Sequence, residues 1–188
     1  DSIDRMDFSN ESISSAKNSL PTINSAMAVS MTPHYGYFVG GWQPTNAYSS
    51  LISKIDFFNE TVSTPGNNLT EGRYNFGGVT DSNYGYFGAG HQGPSSLPVP
   101  SSLSNKVEKM DLSNETISSP GNNLSQNRGG VAATSDSSYG YFGGGVSPYL
   151  YPNIIARNTV DRIDMSSGTV SPSPGLTKSR YDTAALSN

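Results

Sequence analysis

A base and an acid stand two residues apart at four places in this chain: Arg5/Asp7, Lys54/Asp56, Lys109/Asp111 and Arg162/Asp164. Side by side on one strand face, such a pair could perform general acid–base chemistry. Catalysis needs one such pair, and four equivalent copies read instead as repeated ion pairs on an outer strand. A second pattern, Leu-x-x-x-Arg, occurs at Leu69/Arg73, Leu124/Arg128 and Leu176/Arg180, with Leu20/Asn24 as an altered copy. The planar guanidinium fork suits carboxylates and sulfated sugars, so Arg73, Arg128 and Arg180 could ring the mouth of a channel. The competing role is to tie each connecting loop to nearby carbonyls. His34 and His91, the two histidines, occupy different contexts and offer no convergent metal-ligand set. With no cysteine, a thiol nucleophile, a thiolate metal site and a disulfide are all excluded.

Positioning these residues is the work of an internal repeat. Tyr35-Gly36-Tyr37-Phe38 returns at residues 84–87 and 139–142. The segments IDRMDF (3–8), ISKIDF (52–57), VEKMDL (107–112) and VDRIDM (160–165) form a second family, each followed by a polar turn and a short strand. Met6 to Tyr35, Ile55 to Tyr84 and Met110 to Tyr139 are each separated by 29 residues, whereas Phe38 to Ile55 spans 17, Phe87 to Met110 spans 23 and Phe142 to Ile163 spans 21. All length variation therefore falls in one loop of an otherwise rigid unit, as surface connections allow. Each period of 49–55 residues holds four strand candidates, a to d, exemplified by 129–135, 139–145, 106–112 and 115–118.

Composition agrees with an all-β chain. Charged residues make up 14% of the 188, yet there are eleven Tyr, seven Phe and one Trp, more aromatic content than a disordered polar chain carries. The net charge of −4 argues against a nucleic-acid surface, and no apolar run reaches the roughly 20 residues of a membrane span.

The glycines that follow the aromatic strand (Gly40-Gly41, Gly88 and Gly90, Gly143-Gly144-Gly145) and the V-x-R-I-D strand after them resemble kelch repeats. One departure is that Thr61, Thr116 and Thr169 lie where those repeats usually carry a strand-d Trp. The set YGYFGGG, VDRIDFSNET and GNxLSxxR resembles, more specifically, degenerate kelch-like repeats in structural proteins of marine phages. The resemblance implies a kelch-like β-propeller of four-stranded antiparallel blades, about three and a half in this chain. They comprise a partial blade at 1–22, blades at 23–66, 67–121 and 122–174, and the start of another at 175–188. It also implies a non-enzymatic module of a virion structural protein (tail, fibre or capsid appendage), with other virion proteins or a host-surface glycan or protein as partners. Neither a cofactor nor a metal is expected. A secreted or cell-surface carbohydrate-binding propeller is the alternative, and part of a propeller enzyme with its catalytic blades elsewhere is a third. The Cys-free chain cannot form the Cys–Tyr cofactor of kelch-type oxidases, and no sialidase-type Ser-x-Asp-x-Gly-x-Thr-Trp box occurs. Counting the register forward from Arg180 puts the next Tyr beyond Asn188, so a larger chain or an oligomer is expected to supply further strands.

The b–c loops, 41–51, 90–105 and 145–159, differ in length and composition while their surroundings repeat. Trp42, Tyr48, His91, Tyr149, Leu150, Tyr151 and Ile154 are the binding candidates there, since large side chains on loops of a rigid scaffold commonly form recognition surfaces. Five Asn-x-Ser/Thr tripeptides, at Asn10, Asn59, Asn68, Asn114 and Asn123, match the glycosylation acceptor but fall at turns where Asn is favoured by geometry.

Overall fold

Short runs of Val, Ile, Tyr and Phe broken by Asn, Asp, Ser and Gly favour strands joined by tight turns. In the computed structural model, which describes residues 2–45, 48–92, 102–150 and 153–186, the protein is all-β, with no helix among those residues. A hairpin of β1 (Asp4–Asp7) and β2 (Ser12–Ser15) comes first. Sheet 1 is an antiparallel meander of β3 (Ala28–Met31), β4 (Tyr35–Val39), β5 (Ile52–Asp56) and β6 (Val62–Ser63). Then come β7 (Arg73–Tyr74), β8 (Gly77–Thr80), β9 (Tyr84–Gly88), β10 (His91–Gln92), β11 (Ser102–Leu103), β12 (Val107–Asp111) and β13 (Ile117–Ser118). Of these, β8, β9, β12 and β13 make sheet 2. Sheet 3 uses β14 (Ala132–Ser135), β15 (Tyr139–Gly143), β18 (Val160–Asp164) and β19 (Val170–Ser173), with β16 (Val146–Leu150) and β17 (Asn153–Ala156) as a hairpin between its middle strands.

Each Tyr-Gly-Tyr-Phe segment is an interior strand, hydrogen-bonded on both edges in the same register: Tyr35 faces Asp56, Tyr84 faces Asp111 and Tyr139 faces Asp164. The outermost strands of sheets 1 and 2, β6 and β13, are shorter than the sequence implied. Glu60 and Glu115, expected at the start of strand d, are instead turn residues with φ of 60° and 59°.

Both faces of the middle strands are apolar because each sheet is covered by its neighbours. One core cluster joins Tyr37, Val39 and Ile52 of sheet 1 to Phe87 and Met110 of sheet 2. The next joins Val79, Tyr86 and Val107 of sheet 2 to Phe142, Ile163 and Met165 of sheet 3. The Tyr86 hydroxyl crosses this second interface to donate to the Met165 carbonyl at 2.9 Å. Gly140 explains why a Tyr-Gly-Tyr spacing is used: a Cβ there would lie 2.6 Å from the Val79 side chain of the preceding sheet.

The recurrent bases and acids do not pair with one another within a strand. Arg5 bonds Glu60 and Lys54 bonds Glu115 (2.6 Å), so each base reaches the turn of the following sheet. In sheet 3 that turn position is Gly168, and Lys109 lies over the Tyr84 ring at 3.4 Å. The acids cap their own turns instead: Asp111 Oδ1 accepts from the Ser113 amide (2.9 Å), and Asp164 Oδ1 from the amides of Ser166 and Ser167 (3.0 and 2.9 Å). The Ser166 hydroxyl, which donates to the same oxygen at 2.7 Å, and then these amides hold Asp164 well below the usual carboxylate range, at about 2. Turn chemistry accounts for three of the acceptor-like tripeptides, since Asn10 Oδ1 accepts from the Ser12 amide, Asn59 Oδ1 from the amide and hydroxyl of Thr61 and Asn114 Oδ1 from those of Thr116. Asn68 and Asn123 accept instead from the strand amides of Ile52 and Val107.

A ladder of main-chain bonds runs from repeat to repeat through one left-handed position. Asn75 donates to Ala26, Gly130 to Asn75 and Asp182 to Gly130, at 3.0, 2.8 and 3.0 Å. All four residues have φ between 49° and 63°, a conformation costing a side-chain-bearing residue about 1 kcal/mol. The Ala26 side chain is exposed and packs nothing. Ala26→Gly is therefore expected to raise stability by up to about 1 kcal/mol. Gly130→Ala, whose Cβ would lie 2.4 Å from Asp182 Oδ1, should lower it by about 1 kcal/mol or more. Denaturant unfolding of the two variants checks both signs.

Candidate functional site

The segment leading into each sheet's first strand and the loop between its second and third strands meet at one end of the meander. Gly41 donates to the Arg73 carbonyl, Gly90 to that of Arg128 and Gly145 to that of Arg180, at 2.8, 2.7 and 2.8 Å. These glycines have φ of 105°, 101° and 94°, which a side chain would oppose. In return, the amides of Arg73 and Arg128 donate to the Ser49 and Ser104 carbonyls, both at 3.1 Å. The loop of one repeat is thus paired to the lead-in of the next. Sequence reasoning missed the further strands this produces: β10 pairs with both β7 and β11, and β16 pairs with β17. Strands of two residues, such as β7, β10 and β11, are too short for alternation to mark them.

Arg73 and Arg128 do not line an open mouth. Both are completely buried. Arg73 donates to Glu108 at 2.6 Å and to the carbonyls of Lys106 (3.2 Å) and Ala89 (3.4 Å). Arg128 repeats this with Asp161 (2.5 Å), Thr159 (2.8 Å) and Gly144 (2.6 Å). Each backbone is held by the preceding repeat and each side chain by the sheet it enters, so the arginines join successive sheets. Burial pulls both guanidinium pKa values below their ordinary value, and the facing carboxylates oppose that shift. Where the first repeat has Asn24 in place of Arg, Ser53 stands in place of the acid, and Asn24 Nδ2 keeps one carbonyl bond, to Gly40 at 2.9 Å. Arg180, in contrast, is exposed.

His91 is not an exposed loop residue either. It is 1% exposed, with its ring stacked on Tyr74 at 4.8 Å, and Tyr74 packs at a tilt of 39° against Tyr48 at 5.0 Å. Its other side abuts Gly129, where a Cβ would lie 2.5 Å from Nε2. Burial lowers the His91 pKa to about 4. His34 sits in an exposed turn at the far end of sheet 1, so the two histidines are apart. Among the described residues no three His, Asp or Glu side chains converge as a metal site.

Of the other candidates, Tyr48 and Ile154 are half-buried and Trp42 is 38% exposed, its backbone bonded to Ser25. Ile155, which the sequence reading passed over, is 47% exposed beside Ile154 on β17. Tyr149 and Leu150 belong to β16, facing Ile154 and Asn153. Their side chains, and Tyr151 altogether, lie outside the described residues. The result is a hydrogen-bonded platform carrying apolar side chains of irregular size.

No protein-family model matches the chain, and a search of curated proteins finds no match.

Two expectations follow from the buried groups. Arg128→Asn leaves Asp161 buried without its charge partner and should cost about 3 kcal/mol. The double variant Arg128→Asn with Asp161→Ser, which copies the first repeat, should recover at least about 1 kcal/mol of that in denaturant unfolding. For His91, the folded pKa lies below the unfolded value, so the unfolded chain binds more protons between pH 6.5 and 4. Stability is then full above about pH 6.5 and falls as pH drops toward 4, by on the order of 2 kcal/mol between pH 7 and 5. His91→Gln should flatten that slope in unfolding measured across the same window.

Proposed function

We propose that the chain is a run of kelch-like β-propeller blades serving as a non-enzymatic module of a virion structural protein, a tail, fibre or capsid appendage. Its variable loops bind a host-surface glycan or protein, or dock other virion proteins. The observation that carries this reading is the contrast between a scaffold repeated in register and a platform of loops at one end. Those loops share no length and leave Trp42 and Ile155 in solvent. Support for blades comes from the succession of similar meanders, in which β3 lies beside β8 and β8 beside β14. Hydroxyl bonds run between these first strands, from Thr80 to the Met31 carbonyl and from Ser135 to that of Thr80. Most of the recurrent cationic and acidic side chains are occupied by inter-sheet bonds, turn caps or contacts with tyrosine rings, which supports a binding role over an enzymatic one.

A glycan array combined with a bacterial-cell binding assay tests the recognition role. The chain should bind, and Trp42→Ser or the triple change of Tyr149, Leu150 and Tyr151 to Ser should weaken binding by about 30-fold, as loss of an anchor worth about 2 kcal/mol does. Melting should hardly change. Absence of binding, or binding kept while melting falls sharply, would count against these loops as the recognition surface.

A further inference from the structure

The interface between sheets 2 and 3 has a counterpart on the outer face of sheet 3. In the first, Tyr86 and Leu124 are buried (0% and 2% exposed), Arg128 is buried against its acid, and the Phe142 ring packs against Gly77 and Gly88. Moving every residue forward by one repeat gives Tyr141, Leu176, Arg180 and Gly143, the last taking the place of Gly88. There Tyr141 and Leu176 are only half-buried and Arg180 is exposed. Within 4 Å an added Cβ at Gly143 meets Val160 and Leu176, at 3.7 and 3.9 Å, where one at Gly88 meets the Phe142 ring. An open recess of about 200 Å³ occupies this place, lined by Thr134, Tyr141, Gly143, Val160, Leu176 and Arg180 among others. Its backbone is already set: Arg180 accepts from Gly145 and Asp182 donates to Gly130, as in the repeats before. Arg162, the base above it, lies over its own Tyr139 ring at 4.4 Å, as Lys109 lies over Tyr84 in the sheet before.

We propose that this recess is a docking site for the aromatic second strand and acidic third strand of a further repeat unit of this sequence type. The Phe of a Tyr-Gly-Tyr-Phe strand fills the space over Gly143, and the acid at the position of Glu108 and Asp161 receives the Arg180 guanidinium. Two features commit the site to this occupant. The face continues an interface already built twice within the chain, and its exposed guanidinium stands where two equivalent ones hold carboxylates. The loops at the end of the meander take no part, so failure here would leave their role open.

A labelled peptide carrying residues 137–164 of this same sequence, added in trans to the 188-residue protein, tests it by fluorescence anisotropy. Saturable one-to-one binding is expected. It should weaken about tenfold or more with Arg180→Ala in the protein, with Asp161→Asn in the peptide, or with Phe142→Ser in the peptide. Arg180 is exposed, so its removal should leave the melting profile unchanged. Lys178→Ala, at an exposed lysine two residues away, should leave binding intact. Absence of saturable binding, indifference to all three changes, or equal loss with Lys178→Ala would overturn the proposal.

Discussion

A guanidinium shut away from water has to find a carboxylate, and carbonyls for its terminal nitrogens, because an unpaired buried charge costs several kcal/mol. In this protein that requirement falls on the segment between one sheet and the next. The Arg128 backbone belongs to the loop pairing of sheet 2, while its side chain is spent on Asp161, Gly144 and Thr159 of sheet 3. The two sheets cannot separate or shift against each other without exposing one of these groups. Strand order, loop pairing and the left-handed turn at Gly130 are all consistent with holding that one side chain in place. The Asn24 and Ser53 exchange in the first repeat shows the same logic in neutral form: when the base shortens, the acid is absent too.

The ties between sheets are of several kinds, and most recur. Aromatic and aliphatic side chains fill the interfaces, bases reach the next turn, and main-chain bonds link the left-handed positions. Glu60 and Glu115 occupy conformations that favour glycine, yet each supplies the acid that meets a base of the preceding sheet. Where Gly168 takes that position, the conformation is relaxed and the ion pair is gone, leaving Lys109 on the face of Tyr84. Local strain and inter-sheet attraction are traded at a single residue.

The four-stranded units were legible in the sequence because their register is repeated. A constant spacing of 29 residues between Met110 and Tyr139, or between Ile55 and Tyr84, leaves one way to order the strands. Partner choice was less legible. Lys54 has Asp56 two residues away on its own strand, but the c–d turn of the following sheet brings Glu115 closer, and distance in space decides. His91 looked like a loop residue because its neighbours in sequence are polar; it is buried by Tyr74 and by the absence of a side chain at Gly129, neither adjacent in the chain. The short strands β7, β10 and β11 have two residues each, too few for alternation to register.

Every tie described joins a sheet to the one before or after it, and the ladder through Ala26, Asn75, Gly130 and Asp182 is the plainest example. Energetically the array therefore behaves as a line of nearest-neighbour couplings, as stacked repeats do. Such a line loses cooperativity from its ends inward, and an interior unit draws support from two sides where a terminal one draws on a single side. The β1–β2 hairpin is exposed along its whole length, and it is tied to Glu60 of sheet 1. Among the described sheets, sheet 2, flanked by sheet 1 on one face and sheet 3 on the other, is the one where opening disturbs two interfaces at once.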